Sequence, residues 1–314
     1  MDGTRKAVLV AFIGNVAITL AKFVGAYFSG SVAIFAEGLH SVVDTLNQVF
    51  LWLGLHLQER PASDKHPFGY GKERFFWSFV AAIFIFASGA LVSFYEGVDK
   101  FLHPEPLRAL NWALGVLAFA FAAEYYSFRV SYTELKKRAT EAGKDVMSYL
   151  RTTRDPTLAA VFVEESAALV GIVIALVGVS LTALTGNGRF DAAASVAIGL
   201  LLTFLAVLLG ERSRSLLLGQ GALPEELEAI HRIFAASDFV EQVIDCYTMQ
   251  LGPEELLLAA HLQIRHDLST QEIEARMDAL EQDLAQAVPS LKRVFLEAEN
   301  AEEVERKIEE GKTF

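Results

Sequence analysis

Long apolar stretches punctuated by short polar ones set the pattern of this chain. Six runs carry few charges: Ala7 to Phe28, Val32 to Leu57, Phe75 to Val98, Leu110 to Val130, Thr157 to Leu184 and Ala192 to Gly210. A helix rises 1.5 Å per residue, so roughly 20 apolar residues cross a bilayer core. Each run is near or above that length, and the pattern predicts six membrane-spanning helices. The first run is too long for the apolar part of a signal peptide and lacks a small-residue cleavage site, so it is read as a span.

Beyond Gly210 the apolar density falls, and from about Ser213 the pattern is that of a small soluble domain. Pro224, Glu225 and Glu226 open a helix reaching about Ala236, because proline suits a first helical position and acids suit the positive end of the helix dipole. Strands are expected at Val240 to Gln250 and, after Gly252-Pro253, at Leu256 to Ile264. Ser269 begins a capping box for a second helix ending near Ala287. Lys292 to Glu297 reads as a third strand. The order α-β-β-α-β predicts a two-layer α+β domain, and the closing AEEVERKIEE reads as a short charged helix. Between the fourth and fifth runs, TELKKRATEAGKDVMSYLRTT extends the fourth helix and adds a short amphipathic helix before Asp155-Pro156 breaks it. The expected division is therefore 1–212, an all-α six-helix transmembrane transport domain, and 213–314, a cytoplasmic α+β dimerisation or regulatory domain.

Composition agrees with a membrane protein: 314 residues, 53% hydrophobic, with a mean hydropathy of +0.34. Basic residues orient it. With both termini cytoplasmic, the inner segments hold Arg5, Lys6, Arg60, Lys65, Lys72, Arg74, Lys136, Lys137, Arg138, Lys144, Arg151, Arg154, Arg212 and Arg214, against Lys100, Arg108 and Arg189 outside. A bacterial inner (plasma) membrane is the expected location. The net charge of −12 lies largely in the C-terminal third and argues against nucleic-acid binding. The single Cys246 excludes an internal disulfide and a thiolate metal cluster.

Chemistry enters with the polar residues inside the runs. AEGLHSVVDTLNQ places Glu37, His40 and Asp44 at i, i+3 and i+7, on one helix face, with His40 and Asp44 one turn apart, about 6 Å along the axis. The fifth run contributes Glu164 and Glu165. Acids so placed are costly in lipid and must face partners, water or a cation. An imidazole and carboxylates from two helices form a candidate four-coordinate metal or proton site. Zn²⁺ accepts such a set, and Mn²⁺, Fe²⁺ or Co²⁺ suit its carboxylates. Each residue also has a plainer reading. A membrane histidine can bond a neighbouring helix, Glu37 can pair with Lys22, and Asn47 and Gln48 can be packing groups or supports of the site. Glu124 can snorkel to the cytoplasmic side or border a pathway. Asp191 reads as the cap of the sixth helix.

These features together resemble the cation diffusion facilitator family of divalent-metal/proton antiporters. The likeness is carried by GNVAITLAKFVGAYFSGSVAIFAEGLHSVVDTLNQ, by HPFGYGKER and by the α+β tail, which resembles that family's metallochaperone-like domain. HSVVDTLNQ, HPFGYG, MSYLRTTRDP and VEESAALVG are most similar to the branch containing the mitochondrial zinc transporter of animals. The resemblance implies six helices, a homodimer in membrane lipid and alternating access, with helices 1, 2, 4 and 5 repacking against 3 and 6. The family pattern of His or Asp, three residues, Asp is matched by His40 and Asp44. In the fifth helix Glu165 stands at the family's Asp position, Val161 stands where a histidine is usual, and Glu164 is an alternative ligand. The family's loop histidine is matched by His66, while Tyr70 replaces a second one, and a turn on Pro67 and Gly69 is the plainer reading. His261 resembles a ligand of the family's cytoplasmic binuclear site. Glu297 and Glu299 replace its final-strand ligands and Ile244 lies where a histidine is expected, which implies a domain that mainly dimerises.

The expected function is export of a divalent transition-metal cation, Zn²⁺ foremost, in exchange for protons; the metal is cargo and no cofactor is expected. The alternative is a non-transporting membrane scaffold or metal sensor acting through the acidic cytoplasmic domain. A channel is disfavoured by the single buried site. The chain lacks HExxH, which speaks against an intramembrane metalloprotease.

Overall fold

A computed structural model describes residues 3–152 and 156–299. The chain forms two units: one of long helices, the other of Gln58–Glu73 together with the chain from Ser215 onward. The predicted terminal charged helix lies outside the described residues.

The helical unit runs α1 (Gly3–Ser29), α2 (Val32–Gln58), α3 (Glu73–Phe84), a π-helical stretch (Ile85–Ala90), α4 (Leu91–Leu102), α5 (Leu110–Glu141), α6 (Val146–Thr152), α7 (Pro156–Thr185) and α8 (Arg189–Leu218). The third predicted span is continuous from α3 through α4, its π stretch marked by the Leu91 amide bonding the Phe86 carbonyl, five residues back. Among the described residues, Glu73–Leu102, Leu110–Glu141, Val161–Thr185 and Arg189–Leu218 are long and apolar enough to cross a membrane. At 27 residues apiece, α1 and α2 also reach spanning length. As expected, α5 continues past its apolar part, ends before a turn in which Gly143 has φ +66°, and is followed by the short α6.

Apolar side chains occupy both the inside and the outside of this unit. Ile34, Leu117, Ile172, Ile198 and Leu202 are fully buried between helices, whereas Tyr27, Leu184 and Phe204 are largely exposed. Lipid tails are as apolar as leucine, so an exposed leucine costs nothing there and helix association depends on close packing. Glycine provides it between α4 and α8. A Cβ on Gly97 would lie 2.8 Å from the Val196 amide nitrogen, and one on Gly199 2.9 Å from that of Phe94. The two backbones therefore meet with no room for side chains.

Asp191 differs from the sequence expectation. The start of α8 is capped by the Asn187 side chain, which accepts the Arg189 amide at 3.1 Å. Asp191 is buried and serves another helix, accepting the Ser31 hydroxyl and, at 2.7 Å, the Val32 amide at the start of α2. An acid at that position suits the positive end of the α2 dipole.

The second unit follows the predicted order: α9 (Pro224–Ala236), β1 (Val240–Gly252), β2 (Glu255–Ile264), α10 (Thr270–Ala287) and β3 (Leu291–Glu299). Central β2 pairs antiparallel with β1 and parallel with β3. Along β2 the buried positions alternate strictly, with Leu256, Leu258, Ala260, Leu262 and Ile264 facing a core shared with Ile230 and Phe234 of α9 and Leu280 and Leu284 of α10. The helices cover one sheet face. The other carries cross-strand rows, Tyr247–Ala259–Phe295 and Asp245–His261–Glu297. Gln58–Glu73 lies against the β1–β2 turn, where a Cβ on Gly71 would fall 2.6 Å from the Leu251 carbonyl oxygen.

Candidate metal site

The i, i+4 spacing of His40 and Asp44 on α2 brings the imidazole Nδ1 within 3.7 Å of the Asp44 Oδ1. His40 is almost completely buried, and both its ring nitrogens lack a hydrogen-bond partner among the described residues. Buried polar nitrogens are normally satisfied, so this ring is an exception. Asp44 borders a small cavity of about 40 Å³ that is also lined by Glu164 and Glu165 of α7 and by Glu124 of α5. That volume accommodates an ion with a few waters.

Adjacent helical residues point about 100° apart, yet both α7 glutamates reach the cavity because each is held from a different side. Glu164 accepts the Asn47 side-chain amide of α2 at 2.5 Å. Glu165 accepts the Ser127 hydroxyl of α5 at 2.7 Å through one oxygen, and its other oxygen is buried without a partner among the described residues. Gln48 and Val161 form part of the wall, so the place where the sequence resemblance implied a histidine carries an apolar side chain. Among the described residues, no three His, Cys, Asp or Glu side chains already converge as an ion cage. The cavity assembles a carboxylate-rich wall, with His40 behind Asp44 and outside the lining.

Glu37 is not at the cavity. It is fully buried and accepts Lys22 Nζ at 3.0 Å; the same ammonium donates to Ser41 Oγ at 2.7 Å and lies 3.8 Å from Glu124 Oε1. Pairing with Lys22, one of the two readings of Glu37, is the arrangement found. Glu124 does not snorkel outward; it faces Lys22 and the cavity because those are the charged partners within its reach.

The remaining candidates lie in the other unit. His66 is exposed and lies beside Tyr70, ring centres 4.5 Å apart and planes tilted by 40°, in a turn where Gly69 has φ +85°. His261 on β2 contacts Glu297 at 2.5 Å through Nε2 and lies 4.0 Å from Asp245 through Nδ1. Glu299 pairs through its backbone with Gln263 at the end of the sheet. Sequence reasoning did not single out Asn15, Ser41 or Ser127, although the first two line the cavity and Ser127 holds Glu165. Their signal was available, since each is a polar residue inside an apolar run.

Residues 8–218 match the family model described as the cation efflux transmembrane domain. The chain is 30% identical over 288 residues to the proton-coupled zinc antiporter SLC30A9, mitochondrial, of Xenopus laevis, covering 90% of this chain and 52% of that protein. It is 30% identical over 268 residues to metal tolerance protein C4 of Arabidopsis thaliana, covering 85% and 59%. Against the cation-efflux pump FieF of Klebsiella pneumoniae it is 24% identical over 285 residues, covering 90% and 89%. The chain thus spans about half the length of the first of these relatives. Among solved structures, one titled MamM-CTD 215-293 aligns with 24% of this chain and 95% of its own at 10% identity and a TM-score of 0.23. With a spanning helical unit, a carboxylate-lined cavity inside it and a family match over most of its length, the chain belongs to the cation efflux family, whose members are transporters and not enzymes.

Proposed function

We propose that this protein exports a divalent transition-metal cation, Zn²⁺ foremost, from the cytoplasm in exchange for protons. The observation that carries the reading is the cavity among the spanning helices, where Asp44, Glu164 and Glu165 border one ion-sized space beside a buried His40 with two unpartnered nitrogens. Metal and protons compete for the same oxygens and ring nitrogen, so loading the cation expels protons and protonation releases it. His40 and Asp44 on α2 with Glu164 and Glu165 on α7 are the proposed ligands, and Asn47 and Gln48 the groups that orient them. The names of the relatives in Xenopus laevis and Klebsiella pneumoniae, a zinc antiporter and a cation-efflux pump, support the class of cargo. Alternating access opens this fixed site first to one side of the membrane and then to the other.

The protein acts as a homodimer in a bacterial plasma membrane, with its basic loops and second unit on the cytoplasmic side. The uncovered sheet face, where Tyr247 and Phe295 are each more than half exposed, supports dimerisation through that unit. Flux of Zn²⁺, Mn²⁺, Fe²⁺ and Co²⁺, each alone, into proteoliposomes with an imposed pH gradient tests the reading. Zn²⁺ should enter against proton efflux, and Asp44→Asn should slow it by at least about tenfold. If none of the four ions moves, or Asp44→Asn keeps the parent rate, the proposal is wrong.

A further inference from the structure

Lys22 is a fully buried cation in a spanning helix, in a position that the exchange chemistry above does not use. Lysine is almost never fully buried unless paired. Its ammonium has three donors, two of which make short bonds, to Ser41 Oγ at 2.7 Å and Glu37 Oε2 at 3.0 Å. The third charged neighbour, Glu124, lies at 3.8 Å, beyond hydrogen-bond reach and held by charge alone.

These two acids differ in freedom. Glu37 is locked: it has no exposed surface, and α7 passes so close that a Cβ on Gly171 would overlap its Oε1. Glu124 is 13% exposed and borders the cavity beside Asp44 and Glu165. Ser41, which accepts the ammonium, also lines that cavity. The ammonium therefore sits directly behind the cavity wall, with one fixed anion and one shared with the space that receives the cargo.

We propose that Lys22 is a resident cation of the cavity that competes with the transported ion for Glu124. The inference rests on the carrier reading above. An arriving divalent cation draws Glu124 from the ammonium, and on departure the ammonium reclaims it. Lys22 thereby weakens cargo binding and speeds release, acting through Glu124 without touching the ion, while Glu37 keeps the ammonium in place when Glu124 is away.

Initial rates of Zn²⁺ uptake by the full chain in proteoliposomes, measured against Zn²⁺ concentration under a fixed pH gradient, test this. Lys22→Met with Glu37→Gln removes the ammonium together with its locked counter-charge and preserves shape. Lys22→Gln is the second variant, since it keeps a donor for Glu37 and Ser41 without the charge. Either should lower KM by several-fold to about tenfold, the scale of direct pairwise couplings, and lower kcat as release slows. In a Glu124→Gln background the same changes should leave KM where Glu124→Gln alone puts it. An unchanged or raised KM in a variant that melts at the parent temperature overturns the proposal, as does an equal fall in KM with Glu124 absent. If the parent moves no Zn²⁺, or Asp44→Asn moves it at the parent rate, the carrier reading falls and this inference with it. If those two controls behave as expected and KM alone fails to move, only the competition is refuted.

Discussion

Asp191 is 160 positions from Ser31 in sequence, yet it supplies the acceptors that close the start of α2. A carboxylate inside the first turn of its own helix carries no local sign of serving another one. Asp191→Ala should leave the Val32 amide and Ser31 hydroxyl unsatisfied in a buried place and cost about 1–3 kcal/mol, with Asp191→Asn retaining part of it. Thermal melting of the detergent-solubilised protein checks the ranking; equal melting of Ala, Asn and parent would show the cap to be dispensable. His40 and Asp44 were legible in advance because a one-turn spacing is a property of one helix, and the Lys22–Glu37 pairing because it joins neighbouring spans. The support of Glu165 by Ser127 depends on how α5 packs against α7, and the inward turn of Glu124 on how α5 packs against α1, which a single sequence does not encode locally.

Helices and strands with a polar side were read nearly to the residue. Alternation places β2, and the Ser269 capping box places the start of α10, where Ser269 Oγ accepts the Glu272 amide at 3.3 Å and the Ser269 amide donates to the Glu272 carboxylate at 2.8 Å. Those bonds from Ser269 hold the Glu272 carboxyl below its usual range, led by the backbone amide. A depressed folded pKa means that the stabilisation is complete above the unfolded glutamate pKa, about 4.3, and fades as pH falls through the lower folded value. The protection of the first-turn amides of α10, taken relative to the intrinsic exchange rate at each pH, should therefore fall on acidification in the parent, and Ser269→Ala should show lower protection already at neutral pH, by about 1 kcal/mol in local opening free energy. Unaltered protection in the variant would refute the cap. By contrast, the π stretch at Ile85–Ala90 left no trace in the pattern, because a run apolar on all sides has no phase to interrupt. The crossing of α4 and α8 is equally unforgiving: Gly97→Leu should reduce the yield of folded protein sharply, since the side chain would have to occupy the Val196 backbone. Gel filtration in detergent reports that directly.

At the scale of the molecule, the run of six spans and the α-β-β-α-β order were legible because membrane length and strand alternation are both written in hydropathy. Self-association is the property that the uncovered sheet face predicts. Tyr247→Ser with Phe295→Ser should shift the detergent-solubilised protein toward the monomer by light scattering, whereas a dimer unchanged in mass would place the contact elsewhere. The single boundary at 212/213 expected from hydropathy takes no account of Gln58–Glu73, which joins α2 to α3 in the chain but belongs with the residues from Ser215 onward. The two units are thus interleaved along the gene and not strung end to end. A chimaera that exchanges the tail alone would pair a foreign β1–β2 turn with this segment, in which Gly71 fits the Leu251 carbonyl with no space to spare. Interchangeable parts would have to be cut in two places, with the short piece between α2 and α3 travelling along with the tail.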